Sequence, residues 1–233
     1  MEQNDKNKLI GETLLGEHLV FGLLGRVLYN RPDEYLLKAL IDEDVFSEIP
    51  FGADQEETKK GQEILLSWAK NNQKGLSEDT LKDINADYTS LMVGVGKVLA
   101  PPWESVYFTE DRLIFQEQTI QVRKWYRRFG LELENLHKEP DDHIGLEMSF
   151  IAFLAELGVK ALQEKNTDEF ESLNESQRQF LSNQLLKWGP IWCGLVIQHA
   201  KTDYYQGLGH LTLGSLLAIA DHFNLQIPKE VEK

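Results

Sequence analysis

The chain has 233 residues, 42% of them hydrophobic, and a formal net charge of −14 at pH 7, so it can build the core of one domain or two small ones. The acidity argues against binding nucleic acid or anionic lipid through clustered cations and favours a cationic partner. The single cysteine, Cys193, excludes an internal disulfide framework and is typical of a reducing compartment. With no signal-peptide pattern and no apolar run long enough to span a bilayer, we predict a cytoplasmic protein.

Apolar residues at helical spacing dominate the first part of the chain. They predict helices over residues 9–28, 36–41, 64–68 and 78–91. Pro32 should end the first helix, because proline disfavours helical geometry in the residue before it. Ser77 is the predicted N-cap of the fourth, and Glu78 and Asp79 suit the positive end of its dipole.

The segment 93–107 breaks this pattern with glycines and prolines and is predicted to be an ordered loop. Further helices are predicted over 111–129, 141–163, 175–188, about 191–200 and 203–223, with Gly189-Pro190 ending the third of these and residues 164–175 forming a solvated connection. No alternation of strand type persists. We therefore predict an all-α, single-domain, bundle-like fold of about eight to nine helices, with the loop 93–109 as a hinge between helical halves.

Carboxylates and a histidine gather at one predicted helix start. Asp141 and Asp142 precede His143, and Glu147 lies four residues further on the same helix face. His143 and Glu147 have the spacing of two metal ligands, but a metal site needs three or four. Helix capping by the aspartates, a satisfied half-buried histidine, a metal or catalytic site and a polar partner contact all stay open. No other catalytic or metal motif stands out.

Two further clusters combine aromatic and polar residues. The loop around Trp103, Glu104 and Tyr107 is stiffened by two prolines, so its rings can act as binding anchors and Glu104 can add a charge for a cation. Packing of the rings onto the core is the competing interpretation. Tyr88, Leu91 and Met92 share one helix face, which suits either a peptide groove or a core.

Three motifs resemble the TorD/DmsD family of cytoplasmic chaperones for molybdenum-containing redox enzymes. They are Asp87-Tyr88-x-x-Leu91, Pro102-Trp103-Glu104-Ser105-Val106-Tyr107 and Glu139-Pro140-x-Asp142-His143-x-x-x-Glu147-Met148. The resemblance covers about residues 85–160, and the helical pattern extends it over the chain. Met92 departs from it, since such proteins often carry Phe there.

The resemblance implies an all-helical chaperone, not an enzyme, that binds the twin-arginine signal peptide of a molybdenum-cofactor oxidoreductase such as a dimethyl sulfoxide or trimethylamine N-oxide reductase. It holds this client for cofactor insertion before twin-arginine (Tat) export. No cofactor is implied beyond the weak guanine nucleotide binding of some members, and the chain is a monomer or a domain-swapped dimer. The residues that would line or support the peptide site are Tyr88, Leu91, Trp103, Glu104, Tyr107, Asp142, His143 and Glu147.

Two alternatives lie outside this family. The first is an all-α metal-dependent hydrolase that uses Asp142, His143 and Glu147. The second is a general protein-binding adaptor with the Trp103 loop as its epitope, which differs from the chaperone only in its ligand.

Overall fold

The structure, a computed structural model, describes residues 2–94, 97–133 and 139–230. In these ranges regular structure is helical and no strand forms. The helices are α1 Glu2–Tyr29, α2 Glu34–Asp42, α3 Glu56–Asn72, α4 Glu78–Tyr88, α5 Ser105–Phe108, α6 Glu117–Arg128, α7 Ile144–Gln163, α8 Thr167–Phe180, α9 Leu186–His199 and α10 Asp203–His222. Turns of π-helix, Thr89–Val93 and Leu181–Leu185, extend α4 and join α8 to α9. The predicted all-α class is confirmed, and within the described ranges the single turn α5 is an addition to the predicted helices.

Local sequence sets several helix boundaries, and those at Pro32 and Ser77 are as predicted. Helix α1 ends at Tyr29, three residues before Pro32. The Asp33 side chain then accepts the backbone N–H of Leu36 at 2.7 Å and starts α2. Ser77 accepts the N–H of Thr80 at 3.1 Å and caps α4. These caps satisfy N–H groups that have no partner inside the helix.

Two predictions about the C-terminal half are wrong. Residues 167–175, expected as a solvated connection, lie in α8, whose cap Asn166 accepts the N–H of Glu169 at 3.3 Å. This helix buries only a narrow stripe of a mostly polar sequence. The helical spacing of its apolar residues is therefore too weak to predict it. Nor does Pro190 end a helix: it lies inside α9. Proline has no backbone N–H to donate inside a helix. The helix continues because Trp188 and Trp192, on either side of Pro190, are fully buried and anchor it.

Two helices begin later than predicted. Helix α6 starts at Glu117 rather than near residue 111, because Arg112 and Phe115 have φ of 52° and 59°, outside right-handed helical geometry. Helix α7 starts at Ile144 rather than 141, and its N-cap is His143, whose Nδ1 accepts the N–H of Gly145 at 3.1 Å. Capping of α7 by Asp141 or Asp142 is therefore not what the structure shows.

Close helix packing positions the site. Helix α1 lies along α7, and α10 lies along α3 and α9. A Cβ atom on Gly145 would lie 2.6 Å from the backbone nitrogen of Tyr29, and one on Gly25 would lie 2.9 Å from the Gly145 carbonyl oxygen. Only glycine permits this contact, which brings Tyr29 beside the start of α7. No helix in the described ranges is long and apolar enough to cross a membrane. The single-domain organisation and the hinge at 93–109 stay predictions.

Candidate functional site

Two of the sequence clusters meet through their backbones. Trp103 and His143 form an isolated antiparallel bridge. On either side of it, the N–H of Glu104 donates to the carbonyl of Asp142 at 2.9 Å, and the N–H of Ile144 donates to the carbonyl of Pro102 at 2.8 Å. The loop that carries Trp103 is thus fixed to the start of α7.

Asp142 is a buried structural acceptor. It is 0% exposed, and its Oδ2 accepts the N–H of Ser105 at 2.7 Å while its Oδ1 accepts the hydroxyl of Thr119 at 2.7 Å. Both carboxylate oxygens are therefore used to join α5 and α6 to the start of α7. The side chain cannot reach a peptide at the surface.

Asp141 and His143 are also enclosed. The Arg123 guanidinium donates from Nη2 and Nε to Asp141 Oδ2 at 2.7 and 3.0 Å. The His143 ring packs edge-on against Tyr29 at 5.2 Å and Trp103 at 6.1 Å. Burial lowers the pKa of His143 to about 3, so the ring is neutral and its Nδ1 accepts a hydrogen bond.

Glu104 and Glu147 are buried carboxyl groups beneath this junction. They are 1% and 0% exposed, and burial, with the neighbouring charge of Asp142, raises the pKa of both well above the ordinary range. Trp188 Nε1 donates to Glu147 Oε2 at 3.4 Å, and the side-chain amide of Gln184 lies 3.0 and 3.1 Å from the two Glu104 oxygens. Glu104 therefore offers no exposed charge to a cation.

Glu139 provides the charge that Glu104 does not. It is partly exposed, and its Oε1 accepts the indole N–H of Trp103 at 2.9 Å. Burial raises the pKa of Tyr29 and Tyr88, and the charge of Glu139 raises it further. We call Tyr29, Tyr88, Trp103 and Glu139 the aromatic–acid surface.

Sequence reasoning named only part of this surface. Tyr88 and Trp103 are on it and partly exposed. Glu139 enters the sequence analysis only as a residue of the third motif, where its position before Pro140 is the one feature that marks it. Tyr29 gave no signal, since it ends a helix more than a hundred residues away in sequence. The tertiary contact between α1 and α7 brings it here.

Two other predicted residues support the neighbouring structure. Leu91 is fully buried, and its carbonyl accepts the N–H of Ala100 at 2.8 Å. The hydroxyl of Tyr107 donates to the carbonyl of Pro101 at 2.9 Å, and its ring packs 5.2 Å from that of Trp188. Both residues therefore shape the loop that presents Trp103.

The described residues contain no group of three or more His, Cys, Asp or Glu side chains placed to hold a metal. The polar atoms of Asp142 and Nδ1 of His143 are occupied by protein donors. This arrangement does not favour the hydrolase alternative.

A family profile described as nitrate reductase delta subunit matches residues 53–194. The chain belongs to this family. It is 27% identical, over 81% of both chains, to the Tat proofreading chaperone DmsD of Salmonella typhi. It is 30% identical to the chaperone protein TorD of Aliivibrio fischeri, over 55% of this chain and 58% of TorD. These matches confirm the resemblance drawn from the three motifs.

The fold has a counterpart among solved structures. A chain from Archaeoglobus fulgidus, described as a redox enzyme maturation protein, superposes with a TM-score of 0.53 at 18% identity and covers 87% of this chain and 93% of its own length. This likeness concerns the fold. Because the sequence relatives of this family member are chaperones, the protein is a chaperone rather than an enzyme.

Proposed function

We propose that this chaperone serves a molybdenum-cofactor oxidoreductase in the cytoplasm. It binds the client's twin-arginine signal peptide and holds it until the cofactor is inserted and the enzyme is ready for Tat export. The observation that carries the proposal is the aromatic–acid surface, where Trp103 holds the partly exposed Glu139 carboxylate and the charge of Glu139 raises the pKa of Tyr29 and Tyr88.

The chemistry of this surface complements an arginine. A guanidinium group makes charge-assisted, bidentate hydrogen bonds to a carboxylate and stacks on aromatic faces. Trp103 uses one lone pair of Glu139 Oε1, and among the described residues Oε2 and a further lone pair are left for a ligand. The net charge of −14 steers a cationic peptide toward the protein.

The buried residues predicted from the sequence would act by support. The two hydrogen bonds of Asp142 and the cap of His143 fix the loop that carries Trp103 to the segment that leads from Glu139 into α7. A surface held rigid before binding loses less conformational entropy when the ligand arrives. We therefore propose that six residues support the shape of the site rather than contact the peptide: Asp142, His143, Glu147, Glu104, Leu91 and Tyr107.

The test is calorimetric titration with twin-arginine leader peptides of molybdenum oxidoreductases encoded in the same genome. We expect one leader to bind, and Glu139→Gln to weaken it about tenfold, the loss of one charged contact of ~1.4 kcal/mol. Glu63→Gln, which neutralises an exposed carboxylate on α3, is the matched control. Failure of every leader to bind the folded protein would overturn the proposal.

The peptide itself separates the chaperone from a general adaptor. Replacing Arg-Arg by Lys-Lys keeps the charge but removes the planar, bidentate donor. We expect this leader to bind several-fold more weakly. Equal affinity for both leaders would favour the adaptor.

The weak guanine nucleotide binding implied by the family resemblance is a second candidate, and one cavity supports it. A cavity of about 440 Å³ is lined by the cations Lys124, Arg128 and Lys187 and by Trp125, with no carboxylate in its lining. We propose it as the place for the nucleotide phosphates. GDP titration tests this: Lys187→Gln should abolish the weak binding, whereas Lys60→Gln on α3 should not.

The oligomeric state is the remaining proposal about partners. We propose a monomer that can exchange its helical halves through the hinge at 93–109 into a domain-swapped dimer. Sedimentation equilibrium before and after refolding at high concentration would show a stable dimer in the second case, and a monomer in both would contradict the exchange.

A further inference from the structure

One cation adjoins the aromatic–acid surface. Arg31 is exposed and follows Tyr29 closely in the sequence. Its Nε donates to the side-chain oxygen Oδ1 of Asn85 across 2.8 Å. Asn85 and Tyr88 both belong to α4, and their spacing places them on one face of that helix. The guanidinium of Arg31 is therefore held against the face of α4 that carries Tyr88.

Asn85 is fully engaged in holding this arrangement. Its Oδ1 accepts from Arg31, and its Nδ2 donates to the carbonyl of Pro32 at 3.1 Å and to the carbonyl of Leu81 at 3.0 Å. Arg31 uses Nε in this contact, and a guanidinium carries further N–H groups on Nη1 and Nη2. Because Asn85 already holds the group in place, less conformational entropy is lost when a ligand binds to it.

The carboxylates that follow Arg31 in the sequence are not paired with it. Asp33 uses Oδ1 to accept the N–H of Leu36 at 2.7 Å and so caps α2. Glu34 is exposed in the first turn of that helix. Within the part of the chain that the structure describes, Arg31 forms no ion pair. Its Nη groups are therefore available to an anionic group of a ligand.

Charges of opposite sign act on Tyr88. Burial and the charge of Glu139 raise the pKa of Tyr88, whereas the charge of Arg31 lowers it. From Asn85 to Tyr88 the axis of α4 advances about 4.5 Å, at about 1.5 Å per residue. An extended peptide covers about this length with one or two residues, at about 3.3 Å each. A peptide that reaches from Tyr88 to Arg31 therefore needs only a few residues.

We propose that Arg31 is a specificity-determining residue of the signal-peptide site, where it recognises the charge of a leader residue next to the arginine pair. It binds an acidic residue at that position and rejects a basic one. Arginine can form bidentate, charge-assisted hydrogen bonds with a carboxylate, whereas it repels a second cation. This inference rests on the proposed function and adds to it a rule about which leaders are accepted.

The overall charge of the protein acts in the opposite sense. A net charge of −14 favours cationic residues anywhere in a ligand. A position at which the protein prefers an acidic residue therefore requires a local cation, and Arg31 is the cation held beside the aromatic–acid surface by Asn85.

The experiment is a titration with single-residue variants of the leader that binds the wild-type protein. Glutamate and lysine are introduced one at a time at the two positions on either side of the arginine pair. The proteins are wild type, Arg31→Gln, Arg31→Glu and, as matched control, Lys60→Glu, which makes the same change of charge at an exposed position on α3. Thermal unfolding shows that each variant is folded, and Arg31→Gln alone serves if Arg31→Glu is not.

At one of these positions we expect the wild-type protein to bind the glutamate peptide about fivefold more tightly than the lysine peptide, an effect typical of exposed charge pairs. Arg31→Gln should remove this preference, Arg31→Glu should reverse it, and Lys60→Glu should keep it.

The role of Arg31 is overturned if the wild-type protein prefers glutamate at none of the positions. It is also overturned if the preference survives in the Arg31 variants or is lost equally in Lys60→Glu. In each of these cases, binding of the intact leader that Glu139→Gln weakens leaves the proposed function standing. If no leader binds the folded protein, the proposed function fails and the role of Arg31 fails with it.

Discussion

The indole N–H of Trp103 donates to Oε1 of Glu139 across 2.9 Å, although the two residues lie 36 positions apart in the sequence. The bond is possible because the Trp103–His143 bridge holds their two segments together. It orients the one partly exposed carboxylate of the three motifs, and it makes Trp103 a positioning residue as well as an aromatic contact.

Trp103→Phe tests this role by keeping an aromatic ring and removing the donor. With Glu139 no longer oriented, we expect twin-arginine peptide binding to weaken by ~1 kcal/mol, the net value of one hydrogen bond. Titration of the variant against wild-type protein measures it. If Trp103→Phe binds normally and Trp103→Ala does not, the ring alone matters.

Asp142→Ala should reduce the stability of the fold. The change leaves the N–H of Ser105 and the hydroxyl of Thr119 buried without their acceptor, at ~1–3 kcal/mol for each orphaned group. Urea unfolding measures the loss, with Asp111→Ala at an exposed position as control. A variant as stable as the control would show that this buried junction contributes little.

Gly145→Ala should separate α1 from α7. The new methyl group would lie 2.6 Å from the Tyr29 nitrogen and 2.8 Å from the Gly25 carbonyl oxygen, so backbone must move. We expect a destabilisation of ~2 kcal/mol or more, within the range for overpacked sites. Gly194→Ala in α9 meets nothing within 4 Å and should be neutral or stabilising by up to ~1 kcal/mol. Thermal unfolding of the pair distinguishes the two effects.

Glu17 predicts a pH dependence of stability. It is fully buried on α1, and burial raises its pKa to about 7, against a hydrogen bond from Gln177 Nε2 at 3.0 Å. His222, whose own pKa burial lowers, lies 3.9 Å from it. The folded protein therefore keeps a proton that the unfolded chain releases above its ordinary pKa of 4.5. Hence the Glu17 contribution to the free energy of unfolding falls as pH rises from about 4.5 to 7.

Glu17→Gln should remove this slope. Between pH 4.5 and pH 8, the free energy of unfolding of the variant relative to that of the wild-type protein should rise by up to ~3 kcal/mol. This follows from 1.36 kcal/mol per pKa unit. Urea unfolding of both proteins across this pH range measures the difference. A constant difference would mean that Glu17 ionises normally in the fold.

Much of the fold follows from local sequence. Ser77 caps α4 because a side-chain hydroxyl can satisfy an N–H three residues away, and Pro32 lies just beyond α1 because its ring excludes helix before it. The errors came where packing overrode local preference. Pro190 remains in a helix whose neighbouring tryptophans are buried, and α8 forms on a sequence with little apolar content.

The sequence by itself determined the helical class, the acidity and the three motifs that identify the family, because these depend on residue types at short spacing. It predicted the loop that carries Trp103 and, three residues too early, the start of α7. It did not predict which side chains of these two segments are exposed. Only the tertiary structure decided that Asp142, Glu104 and Glu147 lie buried and that Glu139 carries the accessible charge. Burial depends on which distant helices pack together. Here the contact between Gly25 and Gly145 brings α1 against α7, and with it Tyr29 to the site.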